Sequence, residues 1–367
     1  MGVLTKKIAL IISISSTIIL SGCGDTQKRD DMLAADQEFV ENITRYARVD
    51  GELYQYRNNN GKNITGARQP VGEAVKKDDY KLIDGDIVRR SDFWAVAQSE
   101  HGLGACTSTA IGPKTVLTAA HCVDGGGVPA KADQLNMRLW QFESLDRNYT
   151  FDCMINDSYA GAPDQGDGAS RAPRNTHDVA LCHLNNYDQI TLEGVTDFYE
   201  NVDVDTRVSD KKYDGIGDKL LLVGLGCSKT KIVERDGGFE ITNNSSDGRL
   251  RVGNAIALVN YDIVRGESYH GLLEARSDLK DEYSDLCPGD SGGPVFYKVD
   301  DDSFNDPRKI VAVNSAVGPI SQTKLSSSFA QLRSPPVKRL FSKFATEHNA
   351  IICGYDGTLP GTNGCRD

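Results

Sequence analysis

The sequence predicts an all-β protein closed by one C-terminal helix, and three observations carry that reading. From residue 82 onward the chain breaks into short apolar runs of strand length, separated by loops rich in turn residues. Those loops are long and irregular, and no helical pattern alternates with the strands, so a sandwich or barrel fits better than a βαβ fold. Near the end, "SPPVKRLFSKFATEH" opens on proline and sets Val337, Leu340, Phe341 and Phe344 on one helical face.

Taken in order, the expected strands are "FWAVAQ", "TVLTA", "NMRLWQF", "DVALCHL", "KLLLVGLG", "AIALVNYDIV", "PVFYKV" and "KIVAVNSAV". The stretches "NDSYAGAPDQGDGASRAPRNTH" and "KTKIVERDGGFEITNNSSDGR" read as long loops between them. Ahead of residue 82 the chain is polar, and "MLAADQEFVENITRYARV" carries apolar residues at mostly helical spacing.

A chain of 367 residues suits one large β domain behind a leader, or two domains. Its net charge of −11 argues against sequence-independent binding to nucleic acid, which needs a basic face. The N-terminus, "MGVLTKK" followed by the apolar residues 8–20, has the length of a signal peptide and is short for a membrane span. It runs into "LSGC", which resembles the bacterial lipobox. That resemblance implies cleavage ahead of Cys23 and lipidation of Cys23, and Gly24 in place of Asp directly after it implies the outer membrane. An ordinary secretory signal with an incidental cysteine is the alternative. The expected organisation is a signal peptide at 1–22, a lipidated tether or pro-segment at 23–81, and the main domain at 82–367.

Nine cysteines are present, and setting Cys23 aside leaves eight, an even number for a compartment that permits disulfides. No CxxC pair occurs, so four disulfides are expected rather than zinc. The acidic run "VDDDSFND" lacks the spacing of a calcium loop and reads as a solvated turn, so neither metal nor cofactor is expected.

Three stretches carry candidate chemistry. "TVLTAAHC" presents His121 after a β-branched run, "HDVALCHL" opens an apolar run on Asp178, and "CPGDSGGPVFY" sets Ser291 among glycines and prolines. A serine hydroxyl is a poor nucleophile at neutral pH until an imidazole takes its proton. The imidazole in turn needs a carboxylate to fix its tautomer. Each residue alone would be ordinary: a histidine beside a cysteine is usually structural, and an aspartate before a strand usually caps a turn. His101, His177, His183, His270 and His348 are read that way.

Together, "TAAHC", "DVAL" and "GDSGGP" resemble the three signature motifs of the chymotrypsin/trypsin family of serine endopeptidases, in that family's chain order. The resemblance runs from residue 82 to about 348. It implies two antiparallel six-stranded β-barrels with the site between them, a C-terminal helix, and a monomer acting on protein or peptide substrates. His121, Asp178 and Ser291 take the catalytic roles, and the N–H groups of Gly289 and Ser291 form the oxyanion hole. Asp290 corresponds to the family's partner for a new N-terminal ammonium. The segment "YKLIDGD" is similar to the family's activation site, which implies cleavage between Lys81 and Leu82.

Six positions upstream of Ser291, Asp285 stands where trypsin-like members place the carboxylate that receives Arg or Lys. Ser315, Val317 (or Ala316) and Ser327 align with the substrate-binding walls, where the family usually has glycines on either side of the pocket. The family bridge around the catalytic histidine implies Cys106–Cys122. Cys287 lacks its usual downstream partner, and Cys227 is the nearest candidate, which leaves Cys153–Cys182 and Cys353–Cys365. Two rival functions remain at this point: a non-catalytic binding protein on the same fold, and an ester hydrolase, whose "GxSxG" spacing is met by "GDSGG" but whose chain order differs.

Overall fold

The computed structural model describes the backbone of 45–49, 52–56 and 69–70. From Leu82 on it describes all of the chain except 83–85, 89–92, 102–103, 125–134, 138–148, 156, 161–173, 186–198, 210, 212–216, 228, 236–237, 246–248, 261–270, 279–282, 298–307, 356–364 and 367. Cys23, Lys81, His270 and the acidic run at 299–306 therefore lie outside the described residues.

Three short strands come first: β1 (Arg45–Val49), β2 (Glu52–Tyr56) and β3 (Gln69–Pro70), in one antiparallel sheet. The helical reading of "MLAADQEFVENITRYARV" fails at its C-terminal end, because Arg45–Val49 is extended. Val49 pairs with Glu52, and the residues between them are Asp-Gly, the strongest short hairpin signal. That signal outweighs the helical spacing upstream.

β4 (Asp86–Ile87) opens the main domain. A six-stranded antiparallel sheet follows from β5 (Val96–His101), β6 (Gly104–Gly112), β7 (Thr115–Thr118), β8 (Leu135–Met137), β9 (Tyr149–Ile155) and β10 (Ala180–Leu184). Their order is β5-β6-β7-β10-β9-β8. β7 is β-branched at three of its four positions and buried at all of them, as suits a central strand packed on both faces.

The second sheet is built on β12 (Lys219–Gly224), β15 (Arg251–Ile256), β17 (Leu272–Asp278), β18 (Pro294–Tyr297), β19 (Lys309–Pro319) and β20 (Lys324–Gln331). These six adjoin in the order β17-β20-β19-β18-β12-β15. Three two-residue strands extend them to nine: β4, β16 (Val259–Asn260) and β11 (Asn201–Val202), the last parallel to β19. The expected "AIALVNYDIV" strand is thus divided between the end of β15 and β16.

The loop expected at "KTKIVERDGGFEITNNSSDGR" is a hairpin, β13 (Lys229–Arg235) with β14 (Gly238–Ser245). Phe239 and Ile241 alternate with polar residues after an Asp-Gly pair, and Ile232 pairs with Ile241 across it, a pattern that the many charges masked. The C-terminal helix α1 (Pro335–His348) forms as expected, with Val337, Leu340, Phe341 and Phe344 buried. Burying each such side chain contributes roughly 1.5–3 kcal/mol.

Between the sheets, Glu200 and Arg308 form a fully buried ion pair. Arg308 Nε lies 3.0 Å from Glu200 Oε2, and the guanidinium stacks 3.9 Å from the Phe93 ring centroid and 4.7 Å from that of Phe296.

Candidate active site

β7 runs out at Thr118, and a single 3₁₀ turn, Ala120–Cys122, presents His121 with its side chain 38% exposed. The Cys106–Cys122 disulfide ties that turn to β6. Asp178 is buried at the start of β10, just after the 3₁₀ turn Arg174–His177. Its Oδ2 lies 2.6 Å from His121 Nδ1, and its Oδ1 accepts the His121 backbone N–H at 2.8 Å. Ser315 Oγ on β19 donates to the same Oδ2 at 2.6 Å. Donation from Nδ1 to the carboxylate selects the Nδ1–H tautomer and leaves Nε2 free to take a proton.

Burial disfavours the imidazolium, but the charge of Asp178, its hydrogen bond and the more distant Asp124 outweigh that effect. The His121 pKa is raised above its usual 6.5 as a result.

Ser291 stands on the tight turn between Cys287 and β18. Its Oγ donates to the Ser315 carbonyl at 3.4 Å, while Cys122 Sγ lies 3.8 Å from both His121 Nε2 and the Ser291 carbonyl. Two glycines allow this turn. Gly289 has φ +102° and Gly292 φ +85°, and a Cβ at Gly292 would collide with the Thr107 carbonyl and Thr118 Oγ1. Within the loop the N–H groups of Cys287, Asp290, Gly292 and Gly293 all donate. Among the described residues, those of Gly289 and Ser291 donate to none.

Asp290 is buried beneath this turn. It accepts the Gly226 N–H at 2.7 Å on Oδ1 and the Cys287 N–H at 2.8 Å on Oδ2. Burial pushes its carboxyl up to about 7 against the opposing pull of those N–H groups and of Arg251. Leu82 is buried in the core of the second sheet, and the missing Cβ of Gly253 leaves room for its Cδ1.

Asp285 is fully buried, with Ser277 Oγ donating to Oδ2 and Ser327 Oγ to Oδ1 at 2.8 Å. Val317 pairs with Ser327 directly across the β19–β20 register. Ser315 directs its side chain at Asp178, which leaves its backbone as the part able to meet a substrate.

The structure holds Cys106–Cys122, Cys153–Cys182, Cys227–Cys287 and Cys353–Cys365. Cys153 and Cys182 are directly paired positions of β9 and β10, 4.0 Å apart at Cα. His183 stacks on His348 at 4.7 Å, away from this cluster.

Sequence reading missed Thr107. It is fully buried, yet its hydroxyl reaches the turn that bears Ser291. The only signal was a hydroxyl residue directly after Cys106, inside a stretch not recognised as a strand.

A buried carboxylate, an imidazole held on it and a serine on a glycine-lined turn, set where two antiparallel sheets meet, are the parts of an acyl-transfer serine hydrolase. The family model described as Trypsin matches residues 83–333, more than half of the chain. The protein belongs to the trypsin family of serine peptidases.

Proposed function

We propose that this protein is an exported serine endopeptidase that cleaves peptide bonds through an acyl-enzyme. The observation that carries this reading is the Asp178–His121 pair at 2.6 Å, beside Ser291 in a chain of the trypsin family. In the proposed cycle Ser291 Oγ attacks the scissile carbonyl as His121 Nε2 takes its proton. Asp178 stabilises the imidazolium, and His121 returns the proton to the leaving amine. The N–H groups of Gly289 and Ser291 receive the oxyanion, and losing one such donor typically costs about 2.7–4 kcal/mol of transition-state stabilisation. Water then hydrolyses the ester by the same route.

Arg or Lys at the substrate position before the scissile bond (P1) is the leading specificity, because the buried Asp285 carboxylate suits a cationic side chain. A second reading has one specific support: Val317 opposite Ser327 narrows the walls, and hydroxyls already satisfy both Asp285 oxygens. Those features favour a short P1 side chain.

The activation reading assigns cleavage between Lys81 and Leu82. Leu82 is already seated in the second core, so cleavage would release an ammonium close to the fold, and the raised pKa of buried Asp290 marks a carboxyl that gains from a cation. Export and lipidation at Cys23, with placement in the bacterial outer membrane, complete the proposal. Its basis is the "LSGC" motif together with four disulfides, which persist in oxidising compartments.

Labelling of purified protein by a fluorophosphonate probe tests the catalytic reading. The label and peptide hydrolysis should both be present in wild type and absent in Ser291→Ala. A wild-type protein inert to both would leave the binding-protein reading in its place.

A further inference from the structure

Thr107 is the point at which three separate parts of the site are joined. Its backbone N–H donates to the Ser291 carbonyl at 2.7 Å, and its own carbonyl accepts the Thr118 hydroxyl at 3.0 Å. Its hydroxyl donates to the Gly289 carbonyl at 2.9 Å and accepts the Leu225 N–H at 3.1 Å. One side chain on the first sheet thus holds both the exit of β12 and the turn carrying Ser291.

The turn is held carbonyl by carbonyl. Cys287 O accepts the Asp290 N–H, Pro288 O the Cys227 N–H, and Asp290 O the Gly293 N–H, each at 2.9 Å. Gly289 O is the one carbonyl in this series that is held by a side chain. A glycine at φ +102° has little intrinsic preference for one conformation. The peptide planes on either side of it therefore need outside partners to stay oriented. Cys227 holds the plane ahead of Gly289, while the plane behind it is held by Cys287 O at the Asp290 N–H and by Thr107 at the Gly289 carbonyl.

We propose that Thr107 is a positioning residue for the oxyanion hole. Its hydroxyl fixes the Gly289–Asp290 peptide so that the Gly289 and Ser291 N–H groups converge on one point. The role rests on the serine-peptidase reading above. It makes no contact with substrate, so its effect falls on the transition state rather than on ground-state binding. Substituting Val keeps the shape and removes both the donor to Gly289 and the Thr107 hydroxyl that accepts from the Leu225 N–H.

The experiment compares wild type, Thr107→Val and Thr107→Ser as full chains carrying the same activation cleavage. It measures kcat and KM on one peptide amide substrate and the inhibition constant of the matching peptide aldehyde. Thr107→Val should lose roughly 10- to 100-fold in kcat, less than the 10²–10³-fold of losing an oxyanion donor outright. KM should move less than about threefold, and the aldehyde should weaken in step with kcat. Thr107→Ser should recover most of both. A Val variant with wild-type kcat and aldehyde affinity, or a Ser variant as impaired as Val, overturns the role of the hydroxyl while leaving the peptidase reading intact. Absence of turnover and of Ser291 labelling in wild type instead overturns that reading and this inference with it. If Val fails to fold, Thr107→Ala carries the same expectation.

Discussion

His121 and Asp178 share two contacts: the carboxylate accepts the ring Nδ1–H at 2.6 Å and the backbone N–H of the same residue at 2.8 Å. The imidazole is thereby fixed in position and in tautomer at once, and its charged form is favoured.

The pH dependence of turnover follows from that pair. A base must be neutral to accept a proton, so kcat/KM should rise with pH through the His121 pKa, with its acid limb above 6.5. Asp178→Asn removes the largest influence raising that pKa. The limb should move to lower pH and kcat should fall by about 10⁴. An Asn variant with an unshifted limb would detach the imidazole pKa from Asp178.

Asp290 gives a stability prediction of definite sign. Its folded pKa of about 7 lies above the usual carboxyl value of about 3.9. Between those two values the folded state binds more protons than the unfolded chain, so stability declines as pH rises from 4 to 7. The uncleaved protein should lose up to a few kcal/mol over that range. Asp290→Asn should lose distinctly less, as read from urea unfolding at pH 4.5 and 7.5. Parallel losses in the two proteins would argue against a raised pKa at Asp290.

Specificity is separable at Val317. If its side chain narrows the pocket above Asp285, Val317→Gly should raise kcat/KM for P1 Arg and Lys substrates by about tenfold relative to P1 Ala, while Asp285→Ser should abolish that gain. The range matches the cost of one or two methylenes at a pocket wall. Profiling a P1-varied peptide panel with both variants decides between the two readings.

The buried Glu200–Arg308 pair should be costly to break on one side only. Glu200→Gln leaves the guanidinium between Phe93 and Phe296 with its charge unmatched, a change that typically costs about 3–5 kcal/mol. Thermal unfolding should shift downward by roughly 6–20 °C. A shift under about 2 °C would count against this pair as a source of stability, all the more because Arg366, 3.7 Å from Glu200 Oε1, draws on the same carboxylate.

Much of this architecture was legible because period and punctuation agree. β7, β12, β18 and α1 carry apolar residues where a buried strand or helix face requires them. Other strands hid behind small or polar side chains. β6 reads "GACTSTAIG" and β20 "KLSSSFAQ", runs whose Ser, Thr, Ala and Gly look like loop until their backbone hydrogen bonds are placed in a sheet. The β13–β14 hairpin was concealed in the same way by its charges. At the site, the His, Asp and Ser motifs are local and therefore readable. Ser315 on Asp178, Ser277 on Asp285 and Thr107 on Gly289 pair residues far apart in sequence, which no local pattern encodes.

The end of the chain closes the half that is made first. Cys353 donates its N–H to Ile111 at the end of β6 and receives that of Val202, while Thr115 Oγ1 donates to the Ile351 carbonyl. His348 lies on His183 of β10. A ribosome finishes β5 to β10 long before it reaches α1, so the early strands wait for the last segment before their outer hydrogen bonds are filled. The outer hydrogen bonds of the first sheet are therefore filled only once residues 348–353, far later in the chain, have docked on it. A truncation ahead of Pro335 would leave the first sheet unsealed although every one of its strands is present.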